Sequence, residues 1–508
     1  MKKKYLLISF LCIMGFTSHF ASAQQPNILV IISDDHNTNT ISCYGGNIET
    51  PALDRLANEG VRYTRAYTNA ALCVPTRYTC LTGAYASRSL HRNYGPLTNQ
   101  ASIANGAFFT ENEKTIAMAL QNAGYYTGVT GKWHNASKHL GIDDIPKNAD
   151  PRDPEVIRNL REEHGKLSDD IRKYGFDYAN YLTYGNLSLY PDELAHHNVE
   201  YTVKGAIEFL ERTPEDKPFF LWTAFTTTHG PHERIDIADV RMTPEGYTEK
   251  HLCYRPEIMP SRAEIIAECK NPDRIMEQMV KWMDEGIDII LKKLDDMGIS
   301  DNTIVFFLSD QQNIGKSTLY ECGQNIAFLT RYPNLLSGGE VSNSLIDITD
   351  MAATILDVSG AEPLEDMQLD GESMLPLWNG NKEQLKTAIF SEMGVAKAVV
   401  TKDFKYIAIR YPDYVLEKGI PPESGDVKEL AEAGKLEMLR RNTPFGQKQF
   451  GIIDPDQLYD LRNDPDEKVN LAKDPEYADI LEEMKFYLSE YIKEIGRPFG
   501  EFNNQENE

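Results

Sequence analysis

The sequence lacks the features of several common classes of protein. It has only 7 cysteines in 508 residues, and none forms a Cys-x-x-Cys pair or a cysteine–histidine cluster with zinc spacing, so a thiolate zinc site is not expected. Positive charge is scarce, because 52 Lys and Arg stand against 77 Asp and Glu, for a net charge of −25. Nucleic acids and anionic membrane surfaces bind basic patches, so we expect neither as the main partner.

Long apolar runs are also missing from the body of the chain, which predicts that the mature protein does not span a membrane. The N-terminal segment, residues 1–23, reads MKKKYLLISFLCIMGFTSHFASA, with three lysines, a short apolar run and a small-x-small ending. This pattern is typical of a secretory signal peptide that is cleaved after Ala23. We therefore expect a periplasmic or secreted protein.

Buried strands alternate with amphipathic helices over most of the chain. PNILVIIS, from Pro26, is a continuous apolar run that predicts a strand buried on both faces, and KPFFLWTAF and NTIVFFLSD repeat the pattern. The longest predicted helix has Asn271 as N-cap and Gly298 at its C-terminal end. Strands that alternate with helices predict an α/β fold, a large mostly parallel central sheet sandwiched by helices.

The pattern of predicted secondary structure changes after about residue 370. Adjacent short strands and a terminal helix there predict a smaller antiparallel sheet plus helix. The predicted organisation is a signal peptide (1–23), an N-terminal catalytic domain (24–370), a C-terminal subdomain (371–500) and a disordered tail (501–508).

Charged and polar side chains follow the predicted strands, where an open α/β sheet binds its ligands. These residues are Asp34 and Asp35, Lys132 and His134, His229, and Asp310, Gln311 and Lys316. Taken singly, each has an ordinary structural interpretation: a cap, a surface lysine, a loop histidine or a turn residue. Their joint placement at strand ends is what predicts a functional site.

The chemistry of this set favours a cation and an anion together. Three carboxylates and an amide oxygen are hard ligands that suit Ca²⁺ or Mg²⁺ better than zinc or copper. Arg77, Lys132 and Lys316 beside such an ion would form an anion pocket in an otherwise acidic protein. A compact, strongly charged anion such as sulfate or phosphate is the predicted occupant.

Cys73 opens the stretch CVPTRYTCLTG and leaves four interpretations open: half a disulfide, a metal thiolate, a nucleophile or a modified residue. The stretch resembles the signature of the type I sulfatases, in the alkaline phosphatase superfamily, which is Cys-x-Pro-x-Arg followed by Leu-Thr-Gly. The segments PNILVIISDDH, GKWH, SDQQNIGKSTLYECG, LDGESMLPLW and QLYDLRNDPDEKVNLA resemble other family segments in the same order. The resemblance covers about residues 26 to 490 and implies an alkaline-phosphatase-like fold and a sulfuric ester hydrolase.

The resemblance also implies a nucleophile and a metal. Cys73 would be oxidised to Cα-formylglycine by a formylglycine-generating or sulfatase-maturating enzyme, and the hydrated aldehyde would attack sulfur through a sulfo-enzyme intermediate. The cofactor would be Ca²⁺, with Mg²⁺ as an alternative, and its ligands would be Asp34, Asp35, the modified Cys73, Asp310 and Gln311.

The cations and imidazoles receive roles by the same resemblance. Arg77 would activate the hydrated aldehyde, and Lys132 and Lys316 would bind sulfate oxygens. His229 would protonate the departing alcohol, and His134 would take the proton whose loss releases sulfate.

Three positions depart from the family pattern. Gln311 stands where asparagine or histidine is common, which leaves Asn313 as an alternative ligand. His229 lacks the usual preceding proline, so His232 is the competing general acid. Thr76 replaces a serine or alanine within the signature.

The function we predict is an exported sulfatase that cleaves O-sulfate from carbohydrate, such as a glycosaminoglycan, a mucin or another sulfated glycan. Two alternatives remain: a phosphonate or phosphate diester hydrolase of the same fold, and a non-catalytic relative that binds sulfated glycan.

Overall fold

A computed structural model of the chain describes residues 25–90, 107–137, 140–252, 259–393, 396–410, 454–497 and 499–503. The predicted signal peptide lies outside these residues. No helix within the described ranges combines the length and the apolarity that crossing a bilayer requires.

The described residues contain sixteen strands and eleven α-helices. The strands are β1 (Asn27–Ser33), β2 (Val61–Tyr63), β3 (Ala66–Tyr67), β4 (Tyr126–Lys132), β5 (Tyr178–Thr183), β6 (Phe219–Ala224), β7 (Met242–Thr243), β8 (Gly246–Tyr247), β9 (Thr303–Ser309), β10 (Phe328–Arg331), β11 (Glu340–Ser342), β12 (Ile346–Asp347), β13 (Ala388–Met393), β14 (Ala396–Thr401), β15 (Phe404–Ile409) and β16 (Asp456–Asp460). The helices are α1 (Pro51–Asn58), α2 (Cys73–Thr82), α3 (Ile116–Asn122), α4 (Pro154–Arg172), α5 (Val199–Arg212), α6 (Arg262–Ala267), α7 (Ile275–Asp296), α8 (Glu321–Gln324), α9 (Ile348–Ser359), α10 (Leu375–Trp378) and α11 (Ala478–Ile495).

Eight strands form the central sheet in the order β11-β2-β10-β9-β1-β6-β4-β5. Within it β10 runs antiparallel to both β9 and β2, and the other pairs are parallel. Alternate residues of β1 enter two different apolar cores: Ile28, Val30 and Ile32 face α2, α3 and α9, whereas Leu29 and Ile31 face α1, α5 and α7. The continuous apolar run of β1 is thus explained by helices on both faces, and the predicted fold class is confirmed.

A second sheet, β13-β14-β15-β16, is antiparallel throughout. Its apolar face packs on α11 in a separate core that includes Phe390, Tyr406, Met484 and Leu488. This sheet lies within the predicted C-terminal subdomain, and the boundary at residue 370 stays a prediction.

Two expectations need correction. Residues 501–503, expected in the disordered tail, belong to a 3-10 helix, Gly500–Asn503, because Phe502 is buried and stacks on Phe499. Residues 504–508 lie outside the described residues. The long helix α7 begins at Ile275 rather than after Asn271, since the Glu277 carboxylate accepts the backbone N–H groups of Lys270 and Asn271, at 2.6 and 3.3 Å, and holds that segment in a turn.

Candidate active site

The site stands at the carboxyl ends of four adjacent strands, β9, β1, β6 and β4. Asp310 and Gln311 follow β9, Asp34 and Asp35 follow β1, and Lys132 is the last residue of β4. Because neighbouring parallel strands end at one edge of the sheet, residues up to 281 positions apart in the sequence come into contact there.

Cys73 is the first residue of α2, a helix whose ten residues are all buried. Its Sγ lies 3.3 Å from Asp34 Oδ1 and accepts a hydrogen bond of 3.1 Å from Gln311 Nε2. The positive end of the α2 dipole also points here, which favours negative charge at this position. The N-terminus of α2 therefore presents residue 73 to the strand-end residues.

Asp34 is held between cations. Its Oδ2 accepts a hydrogen bond from Lys132 Nζ and lies 3.7 Å from Arg77 Nη2. Burial alone would raise the pKa of Asp34, but the charges of Lys132, His229 and Arg77 outweigh burial and hold its pKa well below the ordinary value. Asp34 is therefore an ionised carboxylate within the protein interior.

Asp310 performs a different task in the same cluster. Its Oδ1 accepts the backbone N–H groups of Asp35 and Gln311, both at 2.9 Å, and its Oδ2 accepts a bond of 3.4 Å from Arg77 Nη2. Burial and the neighbouring Asp34 charge raise the pKa of Asp310 well above its ordinary value. Asp310 thus fixes the backbone from which Asp35 and Gln311 project.

Asp35 is the point where most of the polar groups meet. Its backbone has the left-handed φ of 56°, and its carboxylate accepts hydrogen bonds from Lys316 Nζ at 2.7 Å, from Asn313 Nδ2 at 3.2 Å and from Gln311 Nε2. His229 Nε2 lies 3.6 Å from the same carboxylate. A non-glycine residue adopts this φ only where its surroundings fix it, as these partners do.

The structure separates the two candidate acids. His229 Nδ1 donates to Gly230 O at 2.8 Å, which leaves its Nε2 directed at Asp35. His232 Nε2 instead donates to the backbone oxygen of Thr228, at 3.1 Å. His229 therefore faces the carboxylate cluster, whereas the donor nitrogen of His232 is engaged with the loop backbone.

His134, two residues beyond β4, also has a left-handed backbone, with φ of 71°. Its Nδ1 is buried and has no hydrogen-bond partner among the described residues. Burial, helped by the charges of Lys132 and Arg77, lowers its pKa well below the ordinary value. The neutral imidazole therefore has a ring nitrogen that no described residue engages.

The donor set fits a hard divalent cation. Ligand atoms of Asp34, Asp35, Cys73 and His229 all lie within 4.8 Å of one another. Gln311 Oε1 is buried and has no partner among the described residues. Rotation of this amide would exchange its oxygen and nitrogen and direct the oxygen at the carboxylates, an arrangement that only a cation between them would favour.

All ten residues predicted from the sequence lie in or beside this cluster, but two contacts were missed. Asn186 Oδ1 accepts a hydrogen bond of 2.8 Å from Lys132 Nζ, and His197 contacts the backbone of His229 at 2.9 Å. Asn186 lies three residues beyond β5, the strand next to β4, so the strand-end rule would have found it had β5 been recognised. His197 precedes α5 and carries no comparable signal.

The five described cysteines that could pair, Cys43, Cys73, Cys80, Cys269 and Cys322, are all free. This excludes a disulfide between Cys73 and any other described cysteine.

Comparison with known proteins gives a consistent family. The sulfatase family model matches residues 26–361, and the model for the C-terminal part of N-sulphoglucosamine sulphohydrolase matches residues 311–416. An ulvan-active sulfatase of Formosa agariphila is 25% identical over 94% of this chain and 82% of its own length. An N-acetylglucosamine-6-O-sulfatase of Bacteroides thetaiotaomicron is 26% identical over 93% of this chain and 87% of its own length.

Solved structures agree with the fold. A structure in complex with its substrate D-glucosamine-2-N,6-O-disulfate superimposes with a TM-score of 0.60 at 21% identity, covering 95% of this chain and 99% of that one. A structure from the glycosaminoglycan metabolism of Bacteroides thetaiotaomicron has a TM-score of 0.64 at 20% identity, covering 92% and 99%. The architecture is that of the alkaline-phosphatase-like fold.

Proposed function

Because the chain belongs to the sulfatase family and is a sulfuric ester hydrolase, we propose that its site releases sulfate from O-sulfated carbohydrate. The relatives named above are an ulvan-active sulfatase and an N-acetylglucosamine-6-O-sulfatase, and both names denote sulfated carbohydrate substrates. The signal-peptide pattern of residues 1–23 supports action outside the cytoplasm, in the periplasm or beyond.

The observation that carries the proposal is the position of Cys73 at a buried helix start among cations. Lys132 Nζ contacts Asp34, the carboxylate that contacts residue 73. Lys316 Nζ lies 2.7 Å from Asp35, whose carboxylate has an oxygen within 4.8 Å of Cys73 Sγ. An anionic ester at this position would meet positive charge on two sides. Sulfate oxygens are the groups that such a pocket would bind.

An unmodified thiol is poorly suited to this site. Burial, together with the Asp34 charge, raises the pKa of the Cys73 thiol above its ordinary value, and a protonated thiol is a weak nucleophile. This supports the oxidation of Cys73 to formylglycine by a maturation enzyme. The hydrated aldehyde would supply an oxygen nucleophile where the thiol does not.

The surrounding residues would fill the remaining roles in the reaction. Arg77 donates from Nη1 to Lys132 O at 3.0 Å. It would fix the orientation of residue 73 and of the end of β4. Lys132 and Lys316 would hold sulfate oxygens. His229 would deliver a proton from Nε2 to the departing alcohol, and His134 would accept a proton at its unused Nδ1.

A Ca²⁺ or Mg²⁺ ion would be held by Asp34, Asp35, Asp310, Gln311 and residue 73. When bound, it neutralises charge on the transferring group. Before it binds, Lys132 and Lys316 compensate Asp34 and Asp35.

The direct test is sulfate release from a panel of O-sulfated mono- and disaccharides, with calcium and magnesium each supplied to metal-stripped protein. We expect at least one sugar sulfate to be cleaved, and an aryl phosphonate to be cleaved more slowly. Cys73→Ala should reduce kcat by at least about 10⁴-fold, as loss of a nucleophile does in hydrolases. Mass spectrometry of the peptide that contains residue 73, from protein expressed with a maturation enzyme, should show the aldehyde or its hydrate.

Cys80→Ala is the matched control, because Cys80 is a second buried cysteine of the same helix. Its turnover should persist. Sulfate release by Cys73→Ala at the wild-type rate would refute the nucleophile, and a phosphonate preferred over every sulfate would favour the diester hydrolase. Binding of sulfated sugar without turnover, despite an aldehyde at residue 73, would favour the non-catalytic binder.

A further inference from the structure

The loop that carries His229 is fastened by a second, buried histidine. His197 is 4% exposed and stands two residues before α5, whereas the loop follows β6. We propose that His197 is a positioning residue that holds His229 in reach of the departing alcohol. This inference rests on the proposed function, because it concerns the proton donor of that reaction.

Three hydrogen bonds join His197 to the loop. Its Nδ1 lies 2.8 Å from Thr226 Oγ1, and its Nε2 lies 2.9 Å from the backbone oxygen of His229 and 3.2 Å from that of Pro231. One imidazole therefore bridges three residues of a short loop and fixes the peptide of the acid itself.

The partners determine the tautomer. Both backbone oxygens can only accept hydrogen bonds, so Nε2 must carry the proton and Nδ1 must accept from the Thr226 hydroxyl. The neutral ring satisfies all three contacts, and protonation of Nδ1 would only reverse the direction of the bond to Thr226, because a hydroxyl oxygen can also accept. Burial lowers the pKa of His197 to about 4, which is consistent with a neutral ring near neutral pH.

The contact matters because the His229 ring is held by the backbone of the loop. Its Nδ1 donates to Gly230 O at 2.8 Å, and His197 bonds the backbone oxygens on either side, those of His229 and Pro231, so the ring moves with the segment that His197 holds. A general acid acts only within hydrogen-bond reach of the atom it protonates. Displacement of this loop by about 1 Å would cost a factor on the order of 10² in rate.

The test uses the two amide side chains of different length. In His197→Gln the amide nitrogen reaches about as far as Nε2 and can still donate to His229 O, whereas in His197→Asn it falls short. Each is assayed on 4-nitrophenyl sulfate, whose leaving group departs without a proton, and on the sugar sulfate that wild type cleaves fastest. We expect His197→Asn to lower kcat on the sugar sulfate by about 10- to 100-fold, with KM little changed, and to have a much smaller effect on the nitrophenyl ester.

His197→Gln should restore most of the lost turnover. His164→Asn is the control, since His164 is another largely buried histidine whose Nε2 accepts from Leu182 N at 3.2 Å. Within the described part of the chain, its polar partners lie outside the His229 loop. It should affect both esters equally.

Equal losses on both esters for His197→Asn, or no recovery in His197→Gln, would overturn the positioning role while the wild type still released sulfate. Absence of sulfate release by fully matured wild-type protein would overturn the proposed function and this inference with it.

Discussion

At the scale of single residues, Arg77 is the group on which the site most depends. It has no exposed surface, and its two terminal nitrogens serve different partners: Nη1 bonds Lys132 O, and Nη2 lies 3.4 Å from Asp310 and 3.7 Å from Asp34. Arg77 thereby compensates the charges of two buried carboxylates and joins the end of β4, at Lys132, to α2. The planar guanidinium group of arginine can make both sets of contacts at once, whereas the single ammonium group of lysine cannot.

Two substitutions separate charge from geometry. Arg77→Ala should lower the free energy of unfolding by about 3–5 kcal/mol, because Asp34 and Asp310 lose a buried partner. Arg77→Lys keeps the charge and should retain most of that stability, yet lower kcat on the order of 10²-fold because one contact is lost. Urea unfolding and sulfate release measure the two effects. An Arg77→Lys protein with wild-type kcat would show that charge alone suffices.

The residues of the site were predictable because strand ends carry them. Asp34 and Asp310 each follow an apolar strand, Lys132 ends the buried strand β4, and parallel strands bring such positions together. The choice between His229 and His232 was not predictable, since it depends on which carbonyl each ring meets. Asn186 was missed because β5 has little apolar character to reveal it.

At the scale of elements, Gly131 allows β4 to pack closely against β6 and so to place Lys132 in the site. Gly131 has a φ of +80°, and a Cβ there would lie 1.9 Å from Ala224 O on β6. The register of β4 also shifts between Val129 and Gly131 relative to β5. A side chain at 131 would therefore separate the two strands that place Lys132 and the His229 loop.

The packing of α1 on α7 provides a pH-dependent contact. Asp284 on α7 accepts the backbone N–H groups of Ala52 and Leu53, at 2.9 and 3.1 Å. Burial outweighs these bonds and raises the pKa of Asp284 from 3.8 to about 8. Between these values the folded protein keeps a proton that the unfolded chain has released, so this residue's stabilisation declines as the pH rises.

Asp284→Asn removes that titration. The difference in unfolding free energy between wild type and Asp284→Asn should shrink by about 2 kcal/mol from pH 6 to pH 8, at roughly 1 kcal/mol per pH unit. Urea unfolding at pH 6, 7 and 8 measures it, with the exposed Asp216→Asn as control. A difference independent of pH would mean that the two N–H groups keep Asp284 ionised throughout.

Element boundaries show where local signals fail. Asn271 and Pro272 are good helix-start residues, yet α7 starts at Ile275. The Glu277 carboxylate captures N–H groups outside the helix, and Gln278 Nε2 donates to Pro272 O at 2.6 Å. Side-chain competition of this kind acts across only six or seven residues, yet it cannot be predicted from capping preferences alone.

At the scale of the whole molecule, the small sheet is joined to the segment that carries the site. Lys405 on β15 is fully buried, and its Nζ lies 2.7 Å from Glu321, 3.3 Å from Glu467 and 3.1 Å from Leu319 O. Glu321 begins α8, five residues after Lys316. The antiparallel sheet therefore supports the segment that provides part of the active site.

Composition could not predict this contact. The sequence predicted two sheets and their strand types, since apolar periodicity is local. Which lysine of the second sheet meets the glutamate that begins α8 is decided by how the sheet packs on that segment, and no spacing in the sequence indicates it. Lys405 and Glu321 are 84 residues apart in the chain, and their contact is evident only in the three-dimensional structure.

Lys405→Met tests the support. It should lower the free energy of unfolding by about 3–5 kcal/mol, because Glu321 and Glu467 would lose the buried ammonium group that they share. The triple variant that adds Glu321→Gln and Glu467→Gln should recover much of that loss, since the buried charges are then removed together. Lys485→Met, which breaks only an exposed pair with Glu482, should cost less than about 1 kcal/mol.

Activity gives the second readout of the same contact. If Lys405 supports the segment that carries Lys316, kcat on a sugar sulfate should fall in Lys405→Met under conditions where the variant is fully folded, and the triple variant should regain part of it. Full activity in a folded but destabilised Lys405→Met would show that the small sheet contributes stability without positioning the site. Full recovery of activity in the triple variant would instead attribute the loss to the uncompensated carboxylates and not to the missing lysine.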